Sequence, residues 1–454
     1  MNSRPKVPWS RGDKFLMFLL GLILPIILGL FFWSRALDRN PDVSVPTPTM
    51  PATNARDYYI AASKAVVDEG KIEDARASLT STGRLFNGKM PPSLADKEKL
   101  VAENAGAVKT LHTGFQYPYQ ETPYRSFNAP FPHYQKIRAL ARFLSLEGQV
   151  DAERGDWKGA MSADLDAIQI GEQLPHGGPL IGMLVGYACQ ANGRQHSWAA
   201  VDHLDADQTR AAAARLKAIR AGHVPFADVL QEEEWAHQAG LLEMMRRRDW
   251  PGDMLAGGDP QAGGDPHEDG TSAFWQVTAA RIRLTGKRAI MANYTRYTDE
   301  SIANARRPYA ARPPAPEFPN DPMSQLLLPV FAGVQLSEVN ADTQNALLLT
   351  TLALHAYKLD HGAYPATLSA LTPRYLQSIP TDPFALSGPL RYKPRGARYQ
   401  LYSLYSVGPD GRDDGGKAIF DPTKLAPKTA GGSDRRREVQ ENSEGDIVAG
   451  VNMN

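Results

Sequence analysis

Few residues in this chain have the types and spacing to do chemistry. Glu234 and His237 stand three apart, which puts a carboxylate and an imidazole on one face of a helix. Such a pair is half of a carboxylate-bridged di-metal site, which needs a second copy on another helix. No second Glu-x-x-His occurs, so the pair reads as a solvated helix face. His176-Gly177-Gly178 has the form of an oxyanion loop, but no Gly-x-Ser-x-Gly nucleophile elbow completes it. It reads as the turn before a helix opening at Pro179. Asp259, Asp265, His267, Glu268 and Asp269 could collect a cation, yet their glycine-rich setting offers no preorganised cage. There is no Walker loop, dinucleotide fingerprint, His-Glu-x-x-His or paired Cys-x-x-Cys. The single cysteine, Cys189, cannot form an intrachain disulfide, and its apolar neighbours at 184–188 mark it as a packing residue. These residues assign no catalytic side chain and no organic cofactor, and the expectation is a protein that is not an enzyme.

The elements that carry these residues come next. The 454 residues allow two or three domains. With 50 basic and 50 acidic residues there is no domain-wide basic surface, and nucleic acid is excluded as a partner. Arg435, Arg436 and Arg437 are followed by acidic residues and read as part of a solvated tail.

Residues 15–33 carry no charge, and as a helix they extend about 28 Å, near the hydrocarbon thickness of a bilayer. Phe31, Phe32 and Trp33 stand where an interfacial aromatic belt would lie. Arg4, Lys6, Arg11 and Lys14 precede the stretch while only Arg35 and Arg39 follow, which predicts a cytoplasmic N-terminus. The expectation is a cytoplasmic tail over 1–14 and one uncleaved transmembrane helix over 15–33. It contacts the lipid bilayer of the cell inner membrane as a single-pass anchor, with the bulk of the chain extracytoplasmic. A signal peptide cleaved near 34–36 is the alternative.

Beyond a Pro/Thr-rich linker over 34–53, Asn54 opens a helical domain expected over 54–306. The loop 116–133 is rich in proline and aromatics, and is expected to pack on the helices. Gly148, Gly155, Trp157, Ala160 and Ala167 fit a tetratricopeptide-like helix hairpin. An array of that kind needs about three repeats, and with one copy an ordinary antiparallel hairpin competes. Gly182 and Gly186 form a small-xxx-small pair in the helix over 179–200, expected to serve close helix packing. The Gly/Asp/Pro-dense stretch 249–273 reads as a mobile loop, 274–304 as helix again, and the Pro-rich connector 307–322 as the clearest domain boundary.

A C-terminal module is expected over 323–420, with a flexible tail over 421–454. A helix over 336–359 carries one inward stripe: Val339, Thr343, Ala346, Thr350, Ala353 and Tyr357. Gly362 supplies its stop and Pro365 prevents continuation. A short helix over 367–371 and two strands, over 390–393 and 399–406, follow. The stretches ALHAYKLDHGAYP (353–365), YLQSIPTDPF (375–384), LRYKP (390–394) and YQLYSLYSVGPDGRDDGG (399–416) come in the order and nearly the spacing of a known family. The region, about 335–420, resembles the globular domain of the type II secretion system major pseudopilin. The resemblance implies a long helix on a small antiparallel sheet, and a calcium site in the loop after the last strand. By position Asp410 matches the family's first calcium aspartate. Asp446, before Ile447, has the local form of the second but follows a long insertion, whereas Asp413 and Asp414 have its proximity. Calcium takes oxygen ligands of this kind; an ion-free type I turn at 409–411 is the competing reading.

Pseudopilins open a continuous hydrophobic helix with Phe and Glu. Here the apolar stretch lies far upstream and lacks that Glu. The module is therefore expected to be borrowed as a fold, and a fold alone does not transmit function. The whole reads as a mainly α protein: an N-terminal transmembrane helix, a helical extracytoplasmic region with a tetratricopeptide-like hairpin, and an α+β pseudopilin-like module. Its expected function is a membrane-anchored scaffold that binds other cell-envelope proteins. The alternatives are a component of a type II secretion or pilus-like machine that engages pseudopilins, and an extracytoplasmic hydrolase.

Overall fold

The computed structural model describes residues 11–78, 92–126, 130–247, 250, 271–328, 332–396, 401–424 and 435–452, apart from the side chains of 11–14, 16, 17, 20, 77, 78, 271–275 and 332. Among them are thirteen α-helices and three strands, so the chain is mainly helical. They fall into two compact units. One comprises Met1–Val45, His237–Tyr297 and Glu317–Pro329, the other Pro46–Ala236, Thr298–Pro316 and Val330–Asn454.

The first unit contains α1 (Arg11–Leu37), the later part of α9 (Phe226–Met245), α10 (Thr271–Thr285), most of α11 (Lys287–Ala305) and α12 (Pro322–Leu327). The helix expected over 274–304 is thus two helices, broken at Gly286. Its φ of +83° suits glycine alone, and Leu37 packs against the bare Cα. Beside the break the Lys287 ammonium pairs with Asp38 at 2.7 Å and lies over the Trp250 ring.

The expected membrane span is corrected here. Crossing a bilayer takes about 20 consecutive apolar residues. The helix α1 carries Pro25 within it and Arg35 in its last turn. Among the described residues no helix is long and apolar enough to cross a membrane. This overturns the transmembrane helix over 15–33, the membrane and single-pass assignments and the inner-membrane localisation. The side chains of Leu22, Phe31 and Phe32 are exposed along α1.

The second unit begins with α2 (Ala55–Ala65), capped by Asn54, whose side-chain oxygen accepts the Arg56 and Gln120 N–H groups, each at 3.1 Å. Next come α3 (Glu69–Ser78) and α4 (Leu94–Gly114), the latter opened by a reciprocal Ser93–Asp96 capping box. The aromatic loop packs on the helices as its composition suggests. Tyr117 stacks on Tyr58, Tyr119 is buried, and the Glu121 N–H donates to the His176 carbonyl at 2.9 Å.

Then α5 (Pro132–Glu153) and α6 (Trp157–Gln173) form an antiparallel pair. It turns at Gly155, with φ at +80°, and restarts at the Asp156 cap. Gly148 admits the α6 backbone: a Cβ there would lie 3.2 Å from the Ala160 carbonyl oxygen. The next helix, α7 (Leu180–Val201), crosses α6 where two glycines face each other. A Cβ on Gly186 would stand 2.5 Å from the Gly171 carbonyl oxygen, and one on Gly182 2.6 Å from the Tyr134 hydroxyl. The Gly182/Gly186 pair therefore serves close packing.

After α8 (Ala206–Arg220) the unit is completed by α13 (Ala332–His361) and its sheet. Gly362, with φ at +77°, ends α13, its N–H donating to the Lys358 carbonyl at 2.7 Å. Strands β1 (Arg391–Arg395) and β2 (Leu401–Ser406) pair antiparallel, with Tyr392 opposite Leu404. A third strand, β3 (Ile447–Val448), comes from the segment read as a flexible tail and pairs antiparallel with β2, Ser406 opposite Ile447.

More than one stripe of α13 is buried. Val339, Leu347, Ala353 and Leu354 join Phe384, Leu404 and Ile447 in the core under the sheet. Leu348 and Leu352 join Leu165, Ile168, Val201 and Leu216 in the core of α6, α7 and α8. The Pro-rich connector also packs back. Tyr309 meets Phe384 edge-on and Arg312 pairs with Glu338 at 3.3 Å.

Candidate functional site

The second buried face of α13 meets a cluster of paired charges. Glu172, in the last turn of α6, is 2 % exposed and sits at its centre. Its Oε1 accepts from Arg220 at 2.9 Å and from the Asn345 side-chain amide at 3.0 Å. Its Oε2 lies 3.1 Å from His223 Nδ1. Arg220 also reaches Asp342 on α13 at 2.7 Å, and His223 Nε2 lies 3.7 Å from the same carboxylate. From α7, Gln190 accepts from Asn345, and Arg194 donates to Gln190 and to Asn345 Oδ1 at 3.0 and 2.9 Å. One turn earlier on α13, Glu338 accepts the Phe226 N–H at 3.1 Å beside Arg312.

Electrostatics follow from burial opposed by pairing. Burial favours the neutral form of Glu172, but the His223 hydrogen bond and the Arg220 charge outweigh it and hold the carboxyl below its usual range. Burial likewise opposes the His223 charge, and Glu172 and Asp342 overcome that to raise its pKa. For Glu338 burial wins despite Arg312, and its pKa rises to about 7. For Arg194 burial lowers the pKa to about 10. A histidine between carboxylates can serve as a general acid or base. Here both its ring nitrogens face carboxylates of its own chain, so the network acts as a clamp between helices.

The residues singled out in the sequence lie elsewhere. Glu234 accepts from Gln231 at 2.8 Å, and burial raises its pKa to about 7. His237, described with the other unit, bonds through Nδ1 to the Tyr294 hydroxyl at 2.8 Å. His176 forms the turn before α7, its N–H donating to the Gln173 carbonyl at 3.1 Å. Cys189 is buried, and burial pushes its thiol up to about 12, which makes it a packing residue. Asp259, Asp265, His267, Glu268 and Asp269 lie outside the described residues.

Of the four aspartates the resemblance points to, three meet. Pairing of β3 with β2 carries Asp446 across the long insertion to the loop holding Asp413 and Asp414. Asp410 is exposed and accepts the Arg412 N–H at 3.0 Å, closing a local turn. Calcium requires about six to eight oxygen ligands with free lone pairs. Both Asp446 oxygens instead face main-chain N–H groups, from Asp414 at 3.3 Å and Gly416 at 2.6 Å. Asp413 Oδ1 accepts the Gly415 N–H and the Tyr405 hydroxyl, both at 2.9 Å. As arranged, these donors do not fit a calcium cage, and among the described residues no three His, Cys, Asp or Glu side chains group to hold a metal ion.

Sequence reasoning missed the Glu172 clamp. Its signal is Glu338, Asp342 and Asn345 at steps of four and three, a polar stripe that continues into the apolar Leu348 and Leu352. Set against protein families, curated proteins and solved structures, the chain matches none.

Proposed function

We propose that this chain is a protein-binding scaffold in which a pseudopilin-like module is built into a helical body and presented to other proteins, pseudopilins among them. The observation that carries the reading is the double burial of α13, against the sheet on one side and against α6, α7 and α8 on the other. A helix enclosed by its own chain has no free length to bundle with copies of itself, so the module is held for display and not for polymerisation. The Glu172 clamp supports this. Buried polar groups hydrogen-bonded across helices specify one register of a helix against its neighbours, where apolar contacts alone permit several.

The test is affinity purification of the tagged full-length chain after cross-linking in its host, with solution mass and electron microscopy of the product. A scaffold recovers a stoichiometric partner and forms no filament. Recovery of pseudopilins identifies the partner class and places the chain in a secretion machine. A chain that purifies alone, or that polymerises, refutes the reading.

A further inference from the structure

The loop leaving β2 is held by carboxylates from three parts of the chain, each turned toward main-chain amides. Asp382, in the turn before β1, accepts the Val407 N–H on Oδ2 at 3.0 Å. On Oδ1 it accepts the Ser406 hydroxyl at 2.6 Å and the Phe384 N–H at 3.1 Å. Asp413, within the loop, accepts from Gly415 and Tyr405. Asp446 closes the far side through Asp414 and Gly416, and it is itself fully buried. Its backbone is fixed at both ends: its N–H donates to the Lys417 carbonyl at 2.8 Å and its carbonyl accepts from Ile419 at 3.0 Å. The chains approach closely here, since a Cβ on Gly408 would stand 2.5 Å from the Gly445 carbonyl oxygen.

A cation in such a loop gathers oxygen lone pairs and repels N–H dipoles. A carboxylate does the opposite: it gathers N–H groups, through charge-assisted bonds stronger than neutral ones. The amides of 414 and 416 point at an anion. We propose that Asp446 closes this loop in place of a metal ion, so that the module holds its shape independently of divalent cations. The strand β3 is what delivers the carboxylate, which gives the long insertion between the loop and Asp446 a structural purpose.

The test uses the full-length protein, with calcium chloride alone as probe and EDTA as control. An ion that binds only the folded chain raises its melting temperature in proportion to the logarithm of ion concentration over Kd. The wild type is expected to melt at the same temperature in both solutions and to give no heat of calcium binding by titration calorimetry. Asp446→Ala removes the acceptor and strands two amides. It is expected to lower the melting temperature by several degrees and to speed hydrogen exchange at the amides of 414 and 416. Asp446→Asn keeps the shape with one acceptor and is expected to fall between the two. If Asp446→Ala does not fold, Asp446→Asn and the wild-type titration decide. Calcium stabilisation of the wild type that disappears in Asp446→Asn overturns the proposal. Unchanged exchange at 414 and 416 in the folded variant also overturns it.

Discussion

Glu121 gives the sharpest quantitative test of how the aromatic loop is pinned to the helices. Its side chain is 1 % exposed. It accepts from Arg56 Nε, from the Tyr119 hydroxyl at 3.0 Å and from the Thr122 N–H at 2.8 Å, and it meets His133 Nε2 at 2.9 Å. Burial by itself would raise its pKa. The His133 hydrogen bond and the Arg56 charge outweigh burial and bring the carboxyl from 4.5 to about 2. That fall of about 2.5 pH units corresponds to roughly 3 kcal/mol of stability. The folded pKa lies below the unfolded one, so the contribution is present in full above the ordinary carboxylate range. It is lost as pH falls from about 5 through about 2. Glu121→Gln keeps the size and removes the charge. At about pH 7 the variant should unfold more easily by roughly 3 kcal/mol, and the gap should close progressively as the solution is acidified. Urea denaturation at neutral pH, about pH 5 and about pH 3, followed by circular dichroism, measures it. Equal stability at neutral pH, or a gap of the same size at every pH, refutes the reasoning.

Three further outcomes are expected. Leu352→Ala empties a fully buried position between α13 and α6–α8 and should cost about 2–5 kcal/mol, read as a lowered urea midpoint; a change near zero means α13 is not packed there. Gly186→Ala forces a methyl against the Gly171 carbonyl and should destabilise by about 1–3 kcal/mol, whereas an exposed control such as Gly106→Ala, whose added methyl meets nothing, should not. Glu338 has its pKa raised to about 7, so it stays protonated in the fold where the unfolded chain has already ionised. Its contribution is full below the ordinary carboxylate range and is lost as pH rises through about 7. Glu338→Gln should flatten the pH dependence of urea midpoints between about pH 5 and 8, and an unchanged slope contradicts the assignment.

Features that depend on one stretch of chain were legible before any fold was known. The start of a helix at Asn54, the turn at His176-Gly177-Gly178 before α7 and Gly362 as the stop of α13 follow from requirements that each stretch meets alone. The close packing of Gly182 and Gly186 was legible for a similar reason, since two small residues one turn apart make a groove whatever fills it. Hydropathy over 15–33 was a weaker guide, because composition describes what a helix could contact and not what it does. Tertiary structure alone decided the rest. The stripe of Glu338, Asp342 and Asn345 acquires meaning only from Glu172, Gln190, Arg194 and Arg220, which approach it from far along the chain. Asp446 likewise becomes a loop clamp only once β3 has paired with β2. Caps and turns are local contracts between a residue and its own backbone. Burial and charge pairing are settled by whichever distant neighbours arrive, and no local pattern names them.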